Sequence, residues 1–251
     1  MDGLVFDLRW TDEIDEKYIS DFLFVQNAVF NCGTRDGFRK QFEENIYGRS
    51  LIVIVYLNGN PIAARAVWRN DINGTKSYQL GSNCVLPKYR GKGIFTEMTS
   101  RAVNVIKEIS SDSIIYSFPN QYSYPGYIKM GWRTSISYKL RMYTSYKKYL
   151  KEHPIMIDND YVKWWLIDRP LKYTYISGHY FLLQKDRRTL CYRILGEVEK
   201  DVAKNFPFCV LGIFFYKSQT ITWYNKRLGY SHVIINDNLI CYIPVWKIDA
   251  V

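Results

Sequence analysis

Apolar residues at Ile14, Tyr18, Ile19, Phe22, Leu23, Val25 and Val29 recur at the spacing of one helical face, and acids stand at the start, so a helix is predicted over residues 13–29. A second helix follows over 36–47, ending before Gly48. The period then changes. The apolar run from Leu51 to Leu57, the turn Asn58-Gly59-Asn60-Pro61 and the run Ile62-Ala-Ala-Arg-Ala-Val-Trp68 read as a hairpin, because Asn-Gly supplies the positive φ of a tight turn. A third strand over 78–85, after the turn Asn73-Gly74, extends this antiparallel sheet. Pro87 and a glycine-bearing loop lead into helical spacing over 95–109; then come a short buried strand over 114–118, a helix over 122–130 and an alternating strand over 132–142. The predicted order is ααβββαβαβ.

From 143 to 160 the chain is basic and aromatic (Tyr146, Lys147, Lys148, Tyr149, Lys151), then carries Pro154 and two acids around Asn159, which suits a connector. The expected organisation is a domain over 1–142, a connector over 143–160 and a smaller C-terminal α/β part over 161–251. In that part a hairpin is predicted from 179–184 and 189–195 around Lys185-Asp186, then a helix over 197–205, a strand over 209–215, a helix over 220–228 and a final pair over 231–235 and 239–245. The halves echo each other: 114–118, helix, Met130-Gly131-Trp132 is matched by 210–214, helix, Leu228-Gly229-Tyr230. The second half has no glycine loop, since its strand runs through Gly196 straight into Glu197, so a repeat here would have lost its ligand site.

With 251 residues, 47% hydrophobic, 17% aromatic and 23% charged, the chain can bury a core, which excludes disorder and coiled-coil rods. No apolar run reaches the roughly 18 residues of a membrane span. Asp2 stands where a secretory leader needs basic residues, so a cytoplasmic location is expected. Cys32, Cys84, Cys191, Cys209 and Cys241 are scattered, and His153, His179 and His232 lie far apart, so neither disulfides nor a metal site is expected. The formal charge of +10 favours anionic partners with phosphate as their common factor.

The informative segment is Val85-Leu-Pro-Lys-Tyr-Arg-Gly-Lys-Gly-Ile-Phe-Thr-Glu97: a strand end, a loop with Gly91 and Gly93, and a helix start. Amides exposed at a helix N-terminus hold a phosphate or pyrophosphate, glycine permits close approach, and Arg90 and Lys92 add charge. The loop is not a P-loop, because no Gly-Lys-Ser/Thr ends it. It resembles the pyrophosphate loop of the GNAT superfamily of acyl-CoA-dependent N-acyltransferases, Arg/Gln-x-x-Gly-x-Gly/Ala after a Val-x-Pro strand. Arg90-Gly91-Lys92-Gly93-Ile94-Phe95 matches all but the last position, where Phe95 replaces a small residue. A second family motif, Asn-x-x-Ala-x-x-x-Tyr-x-Lys-x-Gly-Phe, is similar to Asn120 through Tyr127, Lys129, Gly131 and Trp132, with Ser123 in place of Ala; Pro125 and Gly126 are departures that shorten or loosen the helix. The resemblance covers about residues 1–142.

It implies a mixed, mostly antiparallel sheet flanked by helices, with a degenerate GNAT-like C-terminal part, and an N-acyltransferase moving an acetyl or other acyl group from acetyl-CoA, or another acyl-CoA, to a primary amine. Val85, Arg90, Gly91, Lys92, Gly93, Ile94 and Asn120 would bind CoA, and the amides near Cys84, Val85 and Leu86 would meet the thioester carbonyl and pantetheine. Tyr127 would be the general acid, with Tyr122 and Tyr124 as rivals, and Asn120 would contact CoA or an ordered water. For the base, Ser82 and Asn83 or the Val251 carboxylate come into question. A covalent route through Cys84 stands against a buried structural role, which its place in a strand favours. The acceptor is expected to be a small molecule, an amino sugar or another anionic amine, with no metal required. The oligomeric state is not legible. The alternative from another class is a non-catalytic module that grips CoA or nucleic acid with the basic aromatic stretch 143–151.

Overall fold

The computed structural model describes residues 3–72, 74–143, 156–176, 178–185, 192–209, 214–219 and 232–235. The chain divides into two compact units, Met1–Ser135 with His232–Cys241, and Ile136–Ser231 with Tyr242–Val251.

In the first unit, β1 (Leu4–Trp10), β2 (Leu51–Leu57), β3 (Asn60–Arg69) and β4 (Ser77–Val85) pair antiparallel in that order. Strand β5 (Ile114–Ser117) lies parallel to β4, and β11 (His232–Ile235) antiparallel to β5. The sheet is mixed and mostly antiparallel. Helix α1 (Glu16–Phe30) covers one face, and α3 (Ile94–Ile109) with α4 (Tyr124–Lys129) the other. This sandwiching explains the unbroken apolar run of β2: Ile52 and Ile54 meet Phe22 and Phe42 on the α1 side, while Val53 and Val55 meet the cluster of Met98 and Ile106 on the α3 side.

Local chemistry sets the boundaries. Helix α1 begins at Glu16, later than the apolar spacing suggests, because the Asp15 side chain accepts the Tyr18 amide at 2.8 Å and so caps the first turn. The predicted helix over 36–47 is α2 (Arg35–Phe38) followed by a π-turn over Arg39–Glu43. Asn58 and Gly59, at φ 51° and 77°, make the mirror-image turn that the β2–β3 hairpin needs. Strand β1 is an addition to the predicted order. Its alternation Leu4, Phe6, Leu8, Trp10 is the pattern of a half-buried strand, and the apolar side packs on the α3-face cluster.

In the second unit β7 (Leu171–Ile176), β8 (His179–Lys185) and β9 (Tyr192–Val198) form an antiparallel meander; β10 (Phe214–Gln219) lies parallel to β9 and antiparallel to β6 (Arg133–Tyr143). Its core gathers Phe181, Leu183, Ile194 and Cys209. The expected helix over 197–205 is instead the end of β9 and a single turn, α6 (Lys200–Ala203), with the short α5 (Asn159–Tyr161) lying earlier in the chain. Strand β10 overlaps the end of the expected 209–215, of which 210–213 lie outside the described residues, and β7 is an addition to the predicted elements. The turns at Asn73 and Asp186, most of the 143–155 stretch, the predicted helix over 220–228, the strand over 239–245, the Leu228-Gly229-Tyr230 match and Val251 lie outside the described residues.

Candidate active site

Between β4 and α3 the chain makes a 3₁₀ turn at Pro87–Tyr89 and then the glycine loop. Gly91 and Gly93 stand at φ 74° and 78°, the left-handed region where a side chain is strained. Gly93 is the N-cap of α3 and offers no side-chain cap, so the first amides of a sixteen-residue helix are left to a ligand or solvent. Among the described residues none of the amides from Gly91 to Thr96 donates to the protein; the first helical bond runs from Glu97 N to Gly93 O at 3.0 Å. Ile94 is buried and anchors the turn, while Arg90, Lys92 and both glycines are exposed. Arg90 Nε donates to Val85 O at 3.0 Å, and the Lys92 ammonium lies 5.7 Å from the Tyr89 ring centre. The result is a row of free donors at a positive helix end with cations beside it, and that combination suits a pyrophosphate.

Strand β4 leads into this loop with an irregular register. Gly81 is opposite Ala66 and Cys84 opposite Ala64, so Ser82 and Asn83 together face the single residue Arg65, with Ser82 at φ 46°. This is a β-bulge, and Gln26 of α1, itself buried, holds it by donating Nε2 to Ser82 O at 2.6 Å. Pairing with β5 stops at Leu80 and Ser117, where the Ser117 hydroxyl donates to Leu80 O at 2.9 Å. Beyond Leu80, β4 continues to Val85 without a β5 partner, so the two parallel strands part. The Leu86 amide donates to Ile62 O at 2.9 Å. In an antiparallel ladder the direction of the backbone groups alternates, so Cys84, like Leu86, addresses β3, and Val85 turns its N–H toward the parted side. Of the three amides considered from sequence, Val85 alone is placed to meet a ligand there. Cys84 faces the α1 side, its Sγ 3.5 Å from Ala64 O, and burial pushes its thiol up to about 12. A group that stays protonated at neutral pH is a poor nucleophile, so its role is packing.

Helix α4 carries Tyr127 into the α3-face core. The ring is buried (2% exposed), 5.1 Å from the Phe95 ring centre and 4.8 Å from that of Trp132. Its hydroxyl oxygen accepts from Arg65 Nη1 at 3.1 Å. The two departures from the family motifs, Phe95 and Gly126, prove to be one adaptation: a Cβ on Gly126 would stand 2.7 Å from Phe95 Cε1, so the glycine makes room for the ring. Pro125, in the first turn, starts the six-residue α4. Asn120 uses its Oδ1 for the turn before α4, accepting from the Tyr122 and Ser123 amides at 3.0 Å each, which leaves Nδ2 as its ligand-facing candidate. Tyr122 is 83% exposed and Tyr124 is packed at the edge of the core.

The profile of acetyltransferase (GNAT) domains matches residues 11–135, the stretch that holds the loop, the bulge, the parted strands and all but the first ten residues of the first unit's Met1–Ser135 segment. The chain is a GNAT acyltransferase. It is an acyl-CoA-dependent N-acyltransferase, whose co-substrate is acetyl-CoA or another acyl-CoA. A solved structure from Enterococcus faecalis V583, described as a probable N-acyltransferase, is similar at 11% identity and a TM-score of 0.57, covering 97% of this chain and 74% of that one. A GCN5-related N-acetyltransferase from Kribbella flavida is similar at 12% identity and a TM-score of 0.55, covering 91% of this chain and 71% of that one. These likenesses extend the fold comparison beyond the GNAT domain. Arabidopsis thaliana Naa50, solved with the bisubstrate analogue CoA-Ac-MVNAL, is similar at 16% identity over 53% of this chain and 84% of that one, with a TM-score of 0.41. Comparison with curated protein sequences finds no match. No helix among the described residues is long and apolar enough to cross a membrane, and no group of three or more His, Cys, Asp or Glu among them could hold a metal ion.

Arg65 is the residue of this site that sequence reading passed over. Its signal was present: a lone guanidinium inside the otherwise apolar run Ile62-Ala-Ala-Arg-Ala-Val-Trp68.

Proposed function

We propose that the GNAT acetyltransferase acetylates a primary amine of a small molecule by direct attack, with Tyr127 as the acid. The observation that carries the reading is the row of unpartnered amides from Gly91 to Thr96 beside the parted end of β4, which can seat a pyrophosphate and lead the thioester past Val85. In this reading the amides of Gly91, Lys92, Gly93 and Ile94 bind the pyrophosphate, and the Arg90 and Lys92 side chains add charge. The Val85 N–H polarises the thioester carbonyl or holds the pantetheine, and Asn120 Nδ2 contacts CoA or an ordered water.

The amine nitrogen forms its bond to the acetyl carbon, the C–S bond breaks, and the departing thiolate takes the Tyr127 hydroxyl proton. The nitrogen sheds its surplus proton and the phenolate is reprotonated from solvent, so the products are the acetamide and free CoA thiol. The +10 charge favours an acceptor that carries phosphate or carboxylate, such as an amino sugar bearing one of these groups.

The burial of the Tyr127 ring supports a second reading, in which it is a packed aromatic. The variant Tyr127→Phe separates the two. With acetyl-CoA and a panel of small primary amines, thiol release should fall by about 10²-fold in kcat while acetyl-CoA affinity stays within about twofold. A wild-type kcat under conditions where chemistry limits would leave Tyr127 a packed ring and move the test to Tyr124.

A further inference from the structure

The described residues hold one buried guanidinium that the chemistry above does not use. Arg65 lies in the middle of β3 with 0% of its surface exposed, opposite the two-residue bulge of β4 and under α3 and α4. Its guanidinium carbon is 5.2 Å from the Phe95 ring centre and 5.6 Å from that of Tyr127. Nη1 donates to the Tyr127 hydroxyl, whereas Nε and Nη2 are buried and have no partner among the described residues. No carboxylate among the described residues pairs with it; its charge is felt by the Cys84 thiol, on the α1 face of the sheet. Cation–π contact with two rings offsets part of the desolvation, yet a buried cation with orphaned donors remains a cost to folding.

We propose that Arg65 is the positioning residue of the Tyr127 acid, an inference that rests on the reading of Tyr127 given above. A guanidinium has donors and no acceptor, so the Tyr127 oxygen must be the acceptor of this bond. The hydroxyl proton is thereby turned away from Arg65, and among the described residues it finds no protein acceptor. That proton is left for the sulfur of the leaving thiol. When it moves, the phenolate oxygen that forms already accepts a hydrogen bond from a full positive charge. Arg65 thus fixes which way the acid points and stabilises the charge it acquires, without touching the substrate. The bulge at Ser82 and Asn83 gives the long side chain its place opposite, where a regular ladder would set a single residue.

The test pairs Arg65→Met, which keeps the length and removes charge and donors, with Arg65→Lys, Tyr127→Phe and the double variant Arg65→Met/Tyr127→Phe. Arg65→Met should lower kcat about tenfold or more with the KM for acetyl-CoA within about twofold, while the melting temperature holds or rises, because an uncompensated buried cation has been removed. Arg65→Lys should retain more activity than Arg65→Met. In the Tyr127→Phe background Arg65→Met should lower kcat no further, since a residue that acts through the hydroxyl has nothing left to act on. If Tyr127→Phe is impaired but Arg65→Met keeps wild-type kcat, or if the two losses multiply, the positioning role is wrong and the Tyr127 reading stands. If Tyr127→Phe itself keeps wild-type kcat, the acid assignment fails and this inference fails with it. Should Arg65→Met not fold, Arg65→Lys carries the test: a fall in kcat that disappears in the Tyr127→Phe background supports the role, and wild-type kcat, or a loss that multiplies with that of Tyr127→Phe, overturns it.

Discussion

The two units share a strand grammar and differ at one step. In each, an antiparallel run (β2, β3, β4; then β7, β8, β9) is followed by a strand parallel to its last member (β5; then β10), and that strand takes an antiparallel neighbour distant from it in sequence (β11; then β6). After β4 come two left-handed glycines and a sixteen-residue helix with bare amides. After β9 comes the single residue Glu199 and a helix of four residues, with the acid itself at the N-cap. A carboxylate beside that helix end repels an anionic ligand, and one helical turn sums little dipole. On the proposed reading, the comparison teaches that the pairing pattern alone does not make a CoA site; the glycine turn, the bare helix end and the parted strands do.

The largest expected effect on cofactor binding breaks the first unit at that step. Gly93→Val forces a β-branched residue to φ near 78°, at a position where no neighbour lies within 4 Å of the new Cβ, so the damage is to loop geometry rather than packing. The acetyl-CoA dissociation constant should rise about tenfold or more, equivalent to about 1.4 kcal/mol. Calorimetry on the unaltered chain should saturate at one acetyl-CoA. A second binding event, or wild-type affinity in Gly93→Val, would remove the contrast between the units.

Much of this contrast was legible because it is local. The glycine loop, the hairpin turn at Asn58-Gly59 and the seven-residue apolar strand each carry their reason within a few neighbouring residues. The Tyr127 position was legible from its spacing to Asn120, but its hydrogen bond to Arg65 spans 62 residues of chain and no periodicity reports such a contact. The same distance hid the pairing of β11 with β5 and of β6 with β10. Strand β1 is legible in the sequence, since the alternation Leu4, Phe6, Leu8, Trp10 lies within seven residues. Phe95 and Gly126 looked like two separate departures because their compensation is steric and lies across two helices.

That compensation sharpens the comparison, since it seats the first turn of α3 on α4. Gly126→Ala gains up to about 1 kcal/mol of helix propensity but drives a Cβ to 2.7 Å from the Phe95 ring, an overpacking that costs about 1–3 kcal/mol. The clash should win, because Phe95 is wedged against Tyr127 as well. Denaturant midpoints should therefore show Gly126→Ala destabilised by about 1 kcal/mol or more, and Phe95→Leu/Gly126→Ala should recover most of that loss. Additive losses would mean that the glycine serves the backbone of α4 and not the ring.

The smallest effect belongs to Cys84, the thiol in the strand that enters the site. If its role is packing, Cys84→Ala should leave kcat within about twofold and cost about 1 kcal/mol of stability at neutral pH. The pH dependence carries the sharper sign. Burial raises the thiol to about 12 in the folded chain, whereas an unfolded thiol titrates near 8.5. Its contribution to stability is thus complete below about pH 8.5 and is lost as pH rises toward 12. Tyr18 and Tyr56 are also pushed upward, chiefly by burial, but their unfolded reference lies near 10, so they act at higher pH. Between about pH 8.5 and 10 the wild-type chain should lose stability faster than Cys84→Ala, read from denaturant midpoints at half-unit steps. Parallel curves through that interval would show that Cys84 reaches solvent, and rapid labelling by a thiol reagent at pH 8 would reopen the covalent route that its burial now argues against.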